Sequence, residues 1–383
     1  MVYFLLLVRD YFMKEMLEKM DKKKLMLVGG SLILIIVVLF GGAFLYNKFF
    51  YTRSYEEVEN ILVNASKDYF SKFPNELPTQ LNENVIMTES DLVSAEVMKE
   101  ISEYLHDENV SCDGSVTVTN INGEYRYVPN LVCGEKHKTK TFVDYIENNV
   151  PILADGNMVG GLYRVNNELV YRGENLNNYL NFSGSLYQIV KISDGYPVII
   201  YADEEKLERV IWDNRYNVDK ESSTGINNYS ISIMREYLEE LYDGETIVSE
   251  EDKLMIASHS LLVGKRSEED TDKTGALERA SVIDNQFIGL LPLYDFLNAS
   301  LDSNCTSSSS PSCMNYNYLA QTDYSWWTMT ADSVKTHRAF RISGSSYLST
   351  VSNDSYIRPV FYLAKDALYV KGDGSYENPY VLK

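Results

Sequence analysis

The sequence has few of the residue arrangements that chemistry requires. Only four histidines occur in 383 residues, His106, His137, His259 and His337, and they form no ligand pattern with the cysteines. The four cysteines contain no C-x-x-C pair, which excludes the common zinc and thiol-redox motifs. No nucleophile elbow accompanies Ser258-His259-Ser260 or His337, so Ser–His–acid catalysis finds no support in the sequence. Basic residues are scarce, with 35 Lys+Arg against 55 Asp+Glu and a net charge of −20. A chain this acidic is not built to grip phosphate backbones, and no nucleic-acid partner is expected. The loop Asp270-Thr-Asp272-Lys-Thr274-Gly275, with Glu278, departs from a calcium loop because Ser281 stands where a chelating Glu would be needed. No metal and no cofactor is expected.

Charge is also missing from Leu25 to Tyr46, a run of 22 residues. As a helix it would be about 33 Å long, against a hydrocarbon core of about 30 Å. Residues 1–24 carry Arg9, Lys14, Lys19, Lys22, Lys23 and Lys24, which keeps that side in the cytoplasm. A cleaved signal peptide would want a shorter apolar region and a small-residue cleavage site, and Asn47-Lys48-Phe49-Phe50-Tyr51 supplies neither. Met1 and Met20 are both open as starts. Beyond residue 47 stand 29 basic and 51 acidic residues. The expected organisation is a cytoplasmic stub at 1–24 and a transmembrane helix at 25–46 with the lipid bilayer as partner. A membrane-proximal α+β domain at 47–148 and a C-terminal α+β domain at 149–383 would lie outside the cell.

The cysteines pair by proximity, Cys112 with Cys133 and Cys305 with Cys313, in keeping with an oxidising exterior. Loops of this size would stabilise the fold by about 2–4 kcal/mol each.

Ser54 followed by Glu57 is a capping-box pattern, and Val58, Ile61, Leu62, Ala65, Tyr69 and Phe70 continue at helical spacing until Phe73-Pro74. A second helix is expected from Ser90 through Leu105. The period then falls to two: Ser115–Thr119 and Tyr125–Val128 read as strands joined by Asn120-Ile-Asn122-Gly123. Short strands are expected over 161–192 and 196–201. Helices are expected over Ser232–Tyr242, from Ser249 through Ala257, and over Leu290–Leu297. Strands return at 326–330, 338–342, 346–351 and 358–363. Strands at both ends with helices between them indicate α+β rather than a parallel α/β sheet.

Four runs carry a resemblance: YRGENLNNYLNFSGSLYQIVKI, YSWWTMTA with Trp326-Trp327, IRPVFYL at 357–363 and GDGSYENPYVL at 372–382. Together they resemble an uncharacterised bacterial surface domain, over residues 160–383. The resemblance implies a compact relative of the C-type-lectin-like and formylglycine-generating-enzyme-like architecture, a fold that hosts binders and enzymes alike. Lectin-type calcium motifs such as E-P-N are absent, and Trp212-Asp213-Asn214 has the wrong order. The catalytic cysteines of the enzyme branch are not evident either, since Cys305 and Cys313 bracket a Ser-rich loop. More loosely, residues 25–140 resemble a pilin or pseudopilin head, although the apolar run lacks the Glu and the processing junction of that family.

Trp326, Trp327 and Arg358 are the candidate ligand-binding residues. The two indoles alternate across a strand, so either one faces the core and the other the opposite face, where it could stack on a sugar, or both lie in the core or under a loop. Thirty tyrosines against 14 phenylalanines fit a surface rich in amphipathic contact residues. The expectation is a bacterial envelope protein that binds or displays, its ligand a glycan or a protein, and not an enzyme. The alternatives are a pilin-like assembly subunit and an extracellular enzyme of the formylglycine-generating type.

Overall fold

The computed structural model describes residues 52–105, 111–154, 156–203 and 208–383. Two apolar cores lie in these segments, a small one built from residues 58–133 and a large one that begins at Phe142.

The small unit starts at Ser54. Its Oγ accepts from the Glu57 N–H, and the Glu57 carboxylate accepts from the Ser54 N–H, which closes the expected capping box on helix α1 (Tyr55–Lys72). Strand β1 (Asn84–Thr88) follows, then two short helices, α2 (Glu89–Ser94) and α3 (Ile101–Leu105). The single helix expected over 90–105 is therefore corrected. Thr88 caps a new helix start, and the chain leaves the helix at Glu96, which adopts φ 56°. Strands β2 (Cys112–Ile121) and β3 (Glu124–Cys133) form the expected hairpin. Asn122 (φ 55°) and Gly123 (φ 96°) make its two-residue turn, a conformation that favours an Asn-Gly pair. Cys112 and Cys133 stand opposite each other in the ladder and are joined by a disulfide at the open end. Strand β4 (His137–Lys138) completes a sheet of order β1-β2-β3-β4. Helix α1 packs Val58, Leu62, Ala65 and Phe70 against Val116, Val118 and Leu131 of that sheet.

One part of the expected architecture needs correction. The transmembrane helix expected at 25–46 lies outside the described residues, and among those described no helix is long and apolar enough to cross a membrane. The longest, α1, is 18 residues and keeps Glu56, Glu57, Lys67, Asp68 and Lys72 on its surface. A mixed α+β architecture with many strands is present as expected.

The large unit opens with α4 (Phe142–Asn149), β5 (Ile152–Leu153), β6 (Gly161–Val165), β7 (Glu168–Arg172), β8 (Tyr179–Phe182), β9 (Ser185–Ser193) and β10 (Tyr196–Tyr201). Next come β11 (Arg209–Ile211), α5 (Ile233–Asp243), α6 (Glu250–Lys253), β12 (His259–Leu262), α7 (Ala276–Arg279), β13 (Val282–Gln286) and α8 (Leu293–Ala299). The chain ends with β14 (Trp326–Ala331), β15 (Arg338–Ser343), β16 (Ser345–Thr350), β17 (Asp354–Tyr356), β18 (Val360–Tyr362), β19 (Tyr369–Lys371) and β20 (Tyr380–Leu382). The helix expected from Ser249 to Ala257 is cut to one turn, because Ala257 N–H leaves to bond Tyr362 O.

The path β19-β20-β8-β9-β7-β6-β5 makes the main sheet, with β10 and β18 joined to it through β9. A second sheet has the order β11-β17-β14-β15-β16. Strand β9 is the hub. It pairs with β10 along one edge, and with β8 and then β7 along the other. Eight of its nine residues are buried, so its sequence shows no two-residue alternation. The C-terminal strand β20 runs parallel to β8 and brings the tail of the chain beside residues 179–182. Arg126 of β3 ties the two units together through Asp366 (2.7 Å) and Leu254 O (3.0 Å).

Candidate ligand groove

Three of the four runs singled out in the sequence meet on one side of the main sheet. The first supplies the segment from Asn175 to Asn178 and the β8–β9 hairpin. Asn178 is fully buried and locks the segment down: its amide nitrogen donates to Ile189 O (2.9 Å), and Ile189 N–H donates to Asn178 O (2.7 Å). Ser183 (φ 51°) and Gly184 (φ 74°) turn the hairpin. The second run is the tail. Tyr179 N–H donates to Gly374 O (2.8 Å), which seats the tail loop against β8. Gly374 has φ 78°, and a Cβ there would stand 2.5 Å from Asn177 O, so the close approach requires glycine. The third is Arg358, just before β18.

These segments surround a cavity of about 1040 Å³. Asn175, Asn177, Asn181, Gln188, Gln321 and Thr322 supply amides and a hydroxyl. Tyr179 and Tyr376 meet edge to face at its rim, ring centroids 5.4 Å apart. Tyr376 is 65% exposed, so much of its ring is open to solvent. Among the described residues the lining holds one guanidinium, Arg358, and two carboxylates, Asp203 and Glu377.

Arg358 is held as part of the floor. It is 3% exposed, its Nε donates to Tyr201 O (2.8 Å), its Nη2 donates to Gln188 Oε1 (3.1 Å), and its guanidinium lies 5.3 Å from the Trp326 ring centroid. Tyr318 also lines the floor; its hydroxyl is buried with no hydrogen-bond partner among the described residues. Burial pushes the Tyr318 phenol well up, against the opposing charge of Arg358.

Of the two readings of the indoles, the buried one holds. Trp326 and Trp327 are both fully buried, because β14 is covered on both faces. Trp327 Nε1 donates to Val210 O (3.0 Å), and Arg341 stacks on its ring at 5.0 Å. Neither ring can meet a sugar from solvent. Of the three candidate residues only Arg358 lines the groove, with Trp326 supporting it from beneath. The exposed aromatic ring is Tyr376. It lies in the run at 372–382, but as one of thirty tyrosines it carries no local signal of exposure.

The other sequence candidates are accounted for by local structure. Asp272 receives the Thr274 and Gly275 N–H groups, while Glu278 pairs with Arg266, so the acidic loop turns its carboxylates onto its own chain. No group of three or more metal-ligating side chains is gathered among the described residues. Cys305 and Cys313 are joined in a disulfide and buried. His259 stacks on Tyr362, with ring centroids 3.8 Å apart.

Comparison of the chain with protein-family models, with curated proteins and with solved structures found no match.

Proposed function

We propose that the large unit binds a hydroxyl-rich ligand, a glycan, in this groove, and that the protein does so outside the cytoplasm. The carrying observation is the groove of about 1040 Å³ with amide, carboxylate and guanidinium groups in its lining and an exposed Tyr376 ring at its rim. Amides and carboxylates offer the mixed donors and acceptors that sugar hydroxyls need. A tyrosine ring offers a flat apolar face to the C–H side of a sugar, with a polar tip left in water. The two disulfides support a location where thiols are oxidised.

The test is a glycan array probed with the purified full chain. A restricted set of glycans should be retained, and Tyr376→Ala should lose them while keeping its circular dichroism. Retention unchanged in Tyr376→Ala, or no glycan retained at all, would sink this reading.

A further inference from the structure

Away from the groove, the large unit encloses a cluster of charges that the binding reading does not use. Lys191 sits in mid-strand on β9, opposite Val170 of β7 and Val198 of β10. Its side chain is 1% exposed. The ammonium donates to Asp295 Oδ1 (2.9 Å), to Glu168 Oε1 (3.2 Å) and Oε2 (3.3 Å), and to the Tyr294 hydroxyl. Asp295, on α8, is likewise 1% exposed, and its Oδ2 has no hydrogen-bond partner among the described residues. Glu168, at the start of β7, also accepts from Ser193 Oγ (2.6 Å) and pairs with Arg279 (3.4 Å).

As an ion pair this arrangement is costly. Two charges are removed from water, and one carboxylate oxygen is left without compensation. An amide between Lys191 and Asp295 removes both charges at once. We propose that Lys191 Nζ and Asp295 Cγ condense to a side-chain amide, with Glu168 as the proton carrier.

The step balances with the groups present. A proton passes from the Lys191 ammonium to the Asp295 carboxylate. The freed Nζ lone pair attacks Cγ and forms the C–N bond. Glu168 takes a proton from the attached nitrogen and delivers it to the departing hydroxyl, the C–O bond breaks, and one water leaves. Glu168 begins and ends as a carboxylate, and no oxidant or further reactant is needed. Burial favours the reactive form of the acid: it pushes the Asp295 carboxyl up to about 6, with Lys191 opposing and Glu168 adding to the shift. The amine opposes the transfer: burial lowers the Lys191 pKa, but Asp295, Tyr294, Tyr362 and Glu168 outweigh it and hold the ammonium well above its usual range, so the first proton transfer runs uphill and the loss of water must draw it on. The fixed contact of amine, acid and carrier supplies the proximity, and the enclosure keeps out the water that would reverse the reaction. The product ties the hub strand β9 to α8 and closes a long loop of chain.

Mass spectrometry of the full chain, reduced and denatured, decides the matter. The expected mass is lighter than that of the sequence by one water. Trypsin should fail to cut after Lys191, and the segments holding Lys191 and Asp295 should travel as one branched peptide. Asp295→Asn should close by losing ammonia instead and give a product of the same mass as the cross-linked parent. Glu168→Gln should keep the full mass while remaining folded by circular dichroism. A folded parent chain of unshifted mass, with the two segments separate, would make the cluster an ordinary ion pair and overturn the proposal. If Glu168→Gln does not fold, the parent mass and Asp295→Asn still give the answer.

Discussion

The two units solve the burial of a sheet in different ways. In the small unit α1, with the short helices α2 and α3, covers one face of a four-stranded sheet. The core is mostly apolar, with Val58, Leu62, Val116, Val118 and Leu131 fully buried and a single buried carboxylate, Glu59, held by Thr139 and His137 among the described residues. In the large unit the central strands β9, β10 and β14 are covered on both faces, so their polar positions go inside too. Lys191, Arg266, Glu278, Asp295, Asp332 and Arg358 are all buried there. One-sided burial leaves most charge in water, where an ion pair is worth little. Two-sided burial removes the water and makes each charge depend on its partner.

The sharpest test of this contrast removes one partner from a pair in each unit. Arg266 and Glu278 are both fully buried and meet at 2.9 Å, and Glu278 also accepts the Tyr294 N–H (3.1 Å). Glu278→Ala strands the guanidinium and should cost about 3–5 kcal/mol, read from the urea midpoint. Lys99 and Glu103 meet at 2.7 Å on the surface of the small unit, each side chain more than half exposed. Glu103→Ala should leave the midpoint where it was. Equal losses in the two variants would break the comparison.

A second test asks whether the two cores unfold separately. The three tryptophans are Trp212, Trp326 and Trp327, and all lie in the large unit. Tryptophan fluorescence therefore follows that unit alone, whereas circular dichroism follows both. Leu62→Ala empties a fully buried position in the small core and should cost about 2–5 kcal/mol there. The dichroism transition should shift while the fluorescence transition stays in place. A joint shift would mean that the Arg126–Asp366 link couples the units into one cooperative body.

The same contrast explains what could be read from the sequence. The α1 capping box, the Asn122-Gly123 hairpin and the Cys112–Cys133 pairing were legible, because one-sided burial leaves period and turn chemistry visible. Strand β10 was legible for its run of apolar residues. Strand β1 was hidden, since its five residues bury only Met87 fully. In the large unit, double-faced burial hid the roles of the tryptophans: Trp326 and Trp327 alternate across β14 as a half-exposed pair would, yet both faces are inside. Arg358 was found through its motif. The groove was not, because its walls come from residues 175–188, 321–322 and 375–377, and only the fold brings them together. The Lys191–Asp295 contact joins β9 to α8 across an even wider gap, with no local pattern to announce it.

The smallest effect concerns acid. His259 stacks on Tyr362 and meets Tyr196 edge to face, ring centroids 5.4 Å apart. Burial lowers its pKa below the usual 6.5; Lys191 and Lys365 add to the depression and Asp194 opposes it. The unfolded chain thus takes the proton first. The stability due to neutral His259 is complete above about pH 6.5 and is lost as pH falls below it. Asp295 runs the other way. Its carboxyl is raised from 3.8 to about 6, so the folded chain takes that proton first, and acidification below about 6 restores stability. A free Asp295 therefore blunts the acid loss from His259, whereas an amide at Asp295 cannot. Urea midpoints measured from about pH 7.5 down to about pH 5 should decline in the parent, and the decline should flatten in His259→Phe. An unchanged slope in that variant would show that this buried histidine is not what acid attacks.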